Sequence, residues 1–133
     1  MRFTLSLLLA CGLAACSTPS RQAIGTGTWQ VLDINGSPPV GGKPITMTLA
    51  DGRASGSAGC NSYSAPYQLS AREGIRFGQA AVTRVLCEPA AIMEQERRFL
   101  EILSIVRGFS RYVNDDVSLI GADGRAIRMR RTS

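Results

Sequence analysis

Histidine is absent from this 133-residue chain, and Lys43 is its only lysine. Without an imidazole the chain can form neither a Ser-His-Asp nor a Cys-His catalytic group, nor an imidazole-ligated metal site. It also lacks the side chain that most often transfers protons near neutral pH. These absences argue against an enzyme and against a bound metal, and no sequence feature indicates a cofactor.

Long apolar runs are scarce as well, and the most prominent one lies at the N-terminus. Arg2 precedes an apolar stretch over residues 3–13, which ends in Leu-Ala-Ala-Cys at 13–16. A short apolar segment between one positive charge and small residues is typical of a secretory signal peptide. The closing tetrapeptide resembles a bacterial lipobox, which implies cleavage before Cys16 and lipid on its thiol and new amino terminus.

A transmembrane anchor is the alternative interpretation of this segment. The apolar stretch is short for a hydrocarbon core of ~30 Å, and it contains Ser6, Cys11 and Gly12. Removal of residues 1–15 as a signal peptide is therefore favoured. Serine rather than aspartate follows Cys16, and under the lipobox rules this indicates the periplasmic face of the outer membrane.

The rest of the chain has room for one small domain. Residues 16–27 are small, polar and rich in turn formers, so we expect a lipidated cysteine followed by a flexible tether. The folded domain is then expected over residues 28–131.

Basic residues outnumber acidic ones, fifteen to ten, and the loss of Arg2 with the signal peptide changes the net charge from +5 to about +4. An exported protein rarely meets nucleic acid, so none is expected as a partner. We expect association with the membrane through the N-terminal lipid, an envelope protein or lipid ligand, and a monomeric chain. The arginine-rich end is a candidate contact for lipid phosphates, although a merely solvated surface is the simpler interpretation; its members are Arg125, Arg128, Arg130 and Arg131.

Two cysteines besides Cys16 remain after processing, Cys60 and Cys87. Their spacing is not Cys-x-x-Cys, so a thioredoxin-like redox role is disfavoured. An exported chain with two remaining thiols favours one disulfide, with free thiols or a reactive or metal-binding pair as alternatives.

Short alternating segments indicate strands, and one longer segment indicates a helix. The helix is predicted to begin after Pro89 and to stop at Gly108, and the apolar stripe along it consists of Ile92, Phe99, Leu103 and Val106. We predict an α+β fold, in which about eight short strands form a mostly antiparallel β-sheet curved into a partial barrel with the amphipathic helix packed across it. The predicted strands are 28–34, 45–50, 53–57, 63–69, 74–77, 109–113, 117–120 and 125–130.

Several of these segments together resemble the META domain (HslJ-like) family, and the resemblance spans about residues 27–130. Pro66 departs from the pattern by interrupting a strand that would otherwise be continuous. The matching pieces are Gly-Thr-Trp at 27–29, Gly-Ser-Ala-Gly-Cys-Asn-Ser-Tyr at 56–63, Thr-Arg-Val-Leu-Cys at 83–87, and the apolar pattern of residues 93–103.

The resemblance implies a small envelope domain, often a lipoprotein, linked to stress tolerance, antibiotic tolerance, motility and secretion. It implies a disulfide between Cys60 and Cys87 and carries no catalytic residues. A related architecture occurs in secretin pilot lipoproteins, which hold lipid or a partner's tail.

Four residues are candidates for binding. Glu96 lies on the apolar helix stripe, where a buried carboxylate needs a partner, and Arg84 is the natural one. This pair is interpreted as a structural ion pair or, alternatively, as a perturbed acid in a pocket. Asn61 and Tyr63 follow Cys60 in a predicted turn, where asparagine often satisfies local backbone groups.

The leading functional prediction is a non-enzymatic envelope lipoprotein, a stress-tolerance or assembly factor that binds a protein or lipid partner. The alternative is an inhibitor of an exported hydrolase, a lysozyme or a protease. Lysozymes are typically cationic, so a positively charged inhibitor would be repelled.

Overall fold

The computed structural model describes residues 24–70 and 74–133. The signal peptide over residues 1–15 and lipidation of Cys16 lie outside the described residues. No helix in the described part is long and apolar enough to cross a membrane. The elements are β1 (Gly27–Ile34), β2 (Thr46–Ala50), β3 (Arg53–Ser57), β4 (Ser62–Ser70), β5 (Gly74–Phe77), β6 (Ala81–Val82), α1 (Ala90–Ser104), β7 (Val106–Arg111), β8 (Val117–Gly121) and β9 (Ala126–Arg131).

Eight of the strands form a closed antiparallel barrel. Their order is β3-β2-β1-β9-β8-β7-β5-β4, and pairing of β3 with β4 joins the two ends of the sheet. The two-residue strand β6 pairs with β4 beside β5. The predicted α+β class and curved antiparallel sheet are confirmed, and the sheet closes completely.

Side-chain alternation places the apolar residues inside the barrel. Trp29 and Val31 of β1 are buried, as are Met47 of β2 and Ile127 and Met129 of β9. Because successive strand residues point to opposite faces, polar residues between them face outward. The barrel interior is therefore a packed core.

Helix α1 packs across one end of this core through Phe99, whose ring meets Tyr63 edge-on with 5.3 Å between centroids. The helix begins after Pro89 but ends at Ser104, four residues before the predicted stop at Gly108. Val106, expected on the helix stripe, instead begins β7 and pairs with Gly121. Burial of Val106 in the sheet outweighs continuation of the helix.

Loops alternate between the two ends of the barrel, because each strand runs opposite to its neighbours. The end we call the helix end carries loops 35–45, 58–61 and 122–125 and the segment 78–105 with α1. The end we call the terminal end carries turns 51–52 and 112–116, the chain before β1 and the chain after β9. This arrangement places the start of the described chain at residue 24 and the C-terminus opposite the helix.

Two features differ from the expectations: the start of the folded body and the course of β4 at Pro66. Ile24 is 1% exposed and packs in the core, so the folded body begins before residue 28. Pro66 lies inside a continuous β4, paired with Arg53. Proline is tolerated there because β4 changes neighbours from β6 to β5 near this residue, so its missing N–H leaves no ladder bond unmade.

Candidate functional site

The turn after β3 is joined to helix α1 by the carboxylate of Glu96, which is 4% exposed. Its Oε2 accepts hydrogen bonds from the backbone N–H groups of Asn61 (2.7 Å) and Cys60 (3.1 Å). Its Oε1 accepts a bond from the side-chain amide of Asn61 at 2.7 Å. Both oxygens are thus engaged, and the carboxylate fixes the helix to the turn.

Asn61 extends this connection to the segment 83–87. Its Oδ1 accepts bonds from the backbone N–H of Val85 (2.6 Å) and the hydroxyl of Thr83 (2.9 Å). Its amide nitrogen also donates to the carbonyl oxygen of Val85 at 3.0 Å. The buried side chain of Asn61 therefore connects three chain segments, which is a structural role.

The expected ion pair between Glu96 and Arg84 is wrong. Glu96 is satisfied by one side-chain amide and two backbone N–H groups, while Arg84 is exposed and makes no ion pair with it. The tight approach of the Asn61 turn to the helix supplies these donors, so the carboxylate needs no cation.

The predicted disulfide is confirmed. Cys60 and Cys87 are bonded, with their Cα atoms 5.9 Å apart. The disulfide and Asn61 hold residues 83–87 from both sides, and we call this segment the stapled loop. Its shape is therefore imposed by the rest of the domain.

The stapled loop borders a cleft of about 490 Å³. Leu86 is 89% exposed and Val85 57% exposed, although both are large apolar residues. Arg84 lies on the same loop, and no hydrogen bond or ion pair is recorded for it among the described residues. The cleft lining consists of Asn61, Ala80, Val82, Thr83, Arg84, Val85, Leu86, Met93 and Glu96.

The four candidate residues have different positions relative to the cleft. Asn61, Arg84 and Glu96 line it, whereas Tyr63 is 3% exposed in the core. The Tyr63 hydroxyl donates to the carbonyl oxygen of Thr46 at 2.8 Å, and burial raises the pKa of this hydroxyl above its usual range. Tyr63 therefore positions strands and does not face the cleft.

Sequence reasoning missed Val85, Leu86 and Met93 as cleft residues. The available signal was the pair of large apolar residues immediately before Cys87, in a segment with no clear strand or helix period. Their exposure itself became visible only in the structure.

Little in this site is arranged for proton transfer or metal binding. Within residues 24–70 and 74–133, no group of three or more cysteine, aspartate or glutamate side chains is placed to hold a metal ion. Both oxygens of Glu96 already accept hydrogen bonds from the protein. The features available for contact are apolar surface and one exposed guanidinium group.

A second buried carboxylate, Asp116, lies at the terminal end. Its oxygens accept bonds from Arg130 Nε (2.9 Å), Arg128 Nη2 (2.8 Å) and the side-chain amide of Asn114 (3.1 Å). The bond from Arg130 is the main cause that lowers the pKa of Asp116 to about 2.

The arginine-rich end is consequently divided. Arg128 and Arg130 are engaged by Asp116, and Arg131 donates to the carbonyl oxygen of Thr26. Arg125 belongs to the helix end, where it pairs with Glu101 and Asp123. The four arginines therefore do not form one free cationic surface.

The comparisons with known proteins agree with this architecture. A family model described as META domain matches residues 22–133. An NMR structure of a protein from Burkholderia xenovorans has a TM-score of 0.65 at 22% identity, covering 81% of this chain and 83% of that chain. A second NMR structure has a TM-score of 0.63 at 20% identity, covering 80% and 89%.

A crystal structure of a duf4847 family protein from Bacteroides vulgatus is also similar. Its TM-score is 0.52 at 17% identity, and the alignment covers 81% of this chain and 95% of that chain. Likeness at these identities shows the fold. No curated protein matches the chain significantly.

Proposed function

This chain belongs to the META domain family, and we propose that it is a lipid-anchored envelope protein that acts by binding a protein partner rather than by catalysis. The proposed anchor is the acylated Cys16, and the proposed location is the periplasmic face of the outer membrane. The partner segment is proposed to be a peptide that is both apolar and acidic. Its binding site is the cleft beside the stapled loop.

The observation that carries the proposal is the exposure of Val85 and Leu86 on a loop held by a disulfide and by Asn61. Exposed apolar side chains normally lose conformational freedom when a partner binds. Here the loop is already held in one shape, which lowers that entropic cost. Pre-organised apolar surface beside a concave lining is the pattern of a recognition site.

The acidic character of the partner follows from charge. Arg84 is on the cleft lining, while the carboxylate that shares this lining, Glu96, is buried and bonded to Asn61 and Cys60. A carboxylate on the partner can therefore approach an exposed guanidinium group. Guanidinium groups bind carboxylates with directional, charge-assisted hydrogen bonds.

Peptide display on the full-length chain tests this proposal. Selection from a random-peptide library is expected to enrich sequences that combine apolar and acidic residues. Val85→Asp should abolish their binding, whereas Val40→Asp should preserve it, because Val40 is 60% exposed but does not line the cleft. Arg84→Glu should shift the enriched sequences from acidic to basic.

Three results would count against the proposal. They are no enrichment, enrichment that Val85→Asp leaves unchanged, and an acidic preference that survives Arg84→Glu. Native mass spectrometry of the purified chain is a second test. A tightly bound acyl lipid that is lost in Val85→Asp would show that the cleft binds lipid rather than a peptide.

The proposed anchor has its own test. The intact mass of the chain extracted from membranes is expected to correspond to residues 16–133 plus a lipid modification. A mass that retains residues 1–15, or that lacks lipid on Cys16, would overturn the anchor and leave the cleft to be judged by the peptide experiment.

A further inference from the structure

The most exposed apolar side chain at the terminal end belongs to Val113. It lies in the turn between β7 and β8 and is fully exposed, and its neighbour Tyr112 is 45% exposed. Val113 and the exposed part of Tyr112 together form a small apolar surface at the tip of this turn.

The shape of this turn is determined by surrounding contacts. The Tyr112 hydroxyl and the Ser118 hydroxyl are 3.1 Å apart, and the Arg128 guanidinium lies 4.6 Å from the centre of the Tyr112 ring. The backbone N–H of Tyr112 donates to the carbonyl oxygen of Asp116 at 2.8 Å. Val113 is thus presented at the tip of a braced turn, which we call the tip turn (residues 112–116).

The chain enters the barrel at this same end. Ile24 is packed in the core just before β1, and seven residues separate it from Cys16. Those residues span at most about 28 Å when fully extended. A lipid on Cys16 therefore keeps the terminal end close to the bilayer. Strand β1 then runs ~23 Å from the terminal end toward the helix end, over the seven residue-to-residue spacings of its length.

We infer that the tip turn is a membrane-contact surface, which seats the terminal end on the bilayer that holds the lipid anchor and directs the cleft away from that bilayer. This inference rests on the proposed anchor at Cys16. Aromatic residues with a polar tip favour the boundary between water and hydrocarbon, and Tyr112 with Val113 has this composition. Contact requires little intrinsic affinity, because the anchor already confines the turn near the membrane.

Charge is a secondary contribution to this contact. Arg128 and Arg130 are bonded to Asp116, and the exposed acids Asp51 and Asp115 lie in turns at the same end. The described cations at this end still outnumber the carboxylates, because Arg53, Arg111 and Arg131 lie there as well. We expect the contact to persist on zwitterionic lipid through Tyr112 and Val113, and to strengthen on anionic lipid in a salt-dependent way.

Paramagnetic relaxation measured by NMR tests the inference on the full lipidated chain in phosphatidylcholine nanodiscs. A fraction of the lipid carries gadolinium on its headgroup. The amide signals of Tyr112, Val113 and Gly52 are expected to be attenuated several-fold more than those of Leu86 and Gly124. Val113→Asp should remove most of this contrast, since an ionised carboxylate resists the interface.

Val40→Asp is the matched control, because it makes the same chemical change at an exposed position of the helix end. It is expected to leave the contrast unchanged. Equal attenuation at both ends, stronger attenuation at Leu86, or a contrast that Val113→Asp does not alter would overturn the inference. Absence of lipid on Cys16, measured by mass on the same sample, would overturn the proposed anchor and this inference together, whereas a lipidated chain without contrast would overturn this inference alone.

Discussion

Two buried carboxylates hold the opposite ends of the barrel, and different chemistry satisfies each. Glu96 at the helix end accepts bonds from neutral donors, the backbone of Cys60 and the backbone and side chain of Asn61. Asp116 at the terminal end accepts bonds from two guanidinium groups and one amide. Glu96 joins segments 35 or 36 residues apart, whereas Asp116 joins the turn before β8 to the adjacent strand β9.

The difference shows how a carboxylate can serve as a connector in two environments. At the helix end, the tight turn places N–H groups around Glu96, and the disulfide holds the same turn. At the terminal end, Arg128 and Arg130 remain 36% and 57% exposed, so water and salt compete for them. We expect the helix end to depend on complete hydrogen bonding and the terminal end to depend on charge.

Of the changes considered for the two ends, removal of the disulfide at the helix end should cause the largest loss of stability. The double substitution Cys60→Ala with Cys87→Ala removes the covalent bond between two positions that are 27 residues apart. The free energy of unfolding is expected to fall by about 3.5 kcal/mol, because the unfolded chain gains entropy. Urea unfolding of the double variant and of the oxidised wild type measures the loss; a change under about 1 kcal/mol would contradict the assigned role.

Glu96→Ala should be the next most damaging change. It leaves two backbone N–H groups and the Asn61 amide without their acceptor in a buried turn, and the expected loss of stability is about 3 kcal/mol. Glu96→Gln is the control, since it keeps the size and one carbonyl acceptor and should lose less. Equal stability of the alanine variant and the wild type in urea unfolding would refute the role of Glu96.

Asp116→Ala should destabilise the domain less, by about 1–2 kcal/mol, because the partly exposed arginines can regain water. Added salt should weaken the wild-type domain at this site more than the variant. Glu88→Ala, at an exposed position without a recorded bond, is expected to change stability by no more than about 0.5 kcal/mol. Thermal unfolding at low and high salt provides the measurement.

The contribution of Asp116 and its arginine partners to stability should decrease over a defined acidic pH range. The pKa of Asp116 is lowered to about 2 from an ordinary 3.8, so its contribution is fully present above about pH 4. That contribution is lost as the pH falls through about 2, because the protonated acid no longer attracts both arginines. Asp116→Asn should flatten this part of the pH–stability curve; unchanged curvature would exclude Asp116 as its cause.

The fold and the disulfide were accessible from local patterns. The alternation in β1, β2 and β9 and the apolar stripe of α1 both reflect which side chains are buried. Each pattern can be recognised within its own segment, without knowledge of the others. Cys60 and Cys87 are the only cysteines in the sequence after Cys16, so one pairing is available to them. The last residue of α1 was predicted too far along the chain, because Val106 fits both the helix pattern and the strand pattern.

Hydrogen-bond partners were harder to predict, because they depend on segments far apart in sequence. Glu96 was expected to be buried and is buried, but its partner Asn61 is 35 residues away and was expected either to satisfy local backbone groups or to bind a ligand. Asp116 was not singled out, since Asn-Asp-Asp resembles an ordinary turn. Its burial follows from the register of β8 with β9, which brings Arg128 beside Ser118.

The sequence by itself determined an antiparallel β-domain with one covering helix, the position of that helix and the cysteine pair, because side-chain periodicity and composition are local properties. Only the tertiary structure decided that Glu96 binds amides rather than Arg84, that Val85 and Leu86 remain exposed beside a cleft, and that the chain enters and leaves the barrel opposite the helix. These features arise from strand register and barrel closure, which set distances between residues that no local pattern relates.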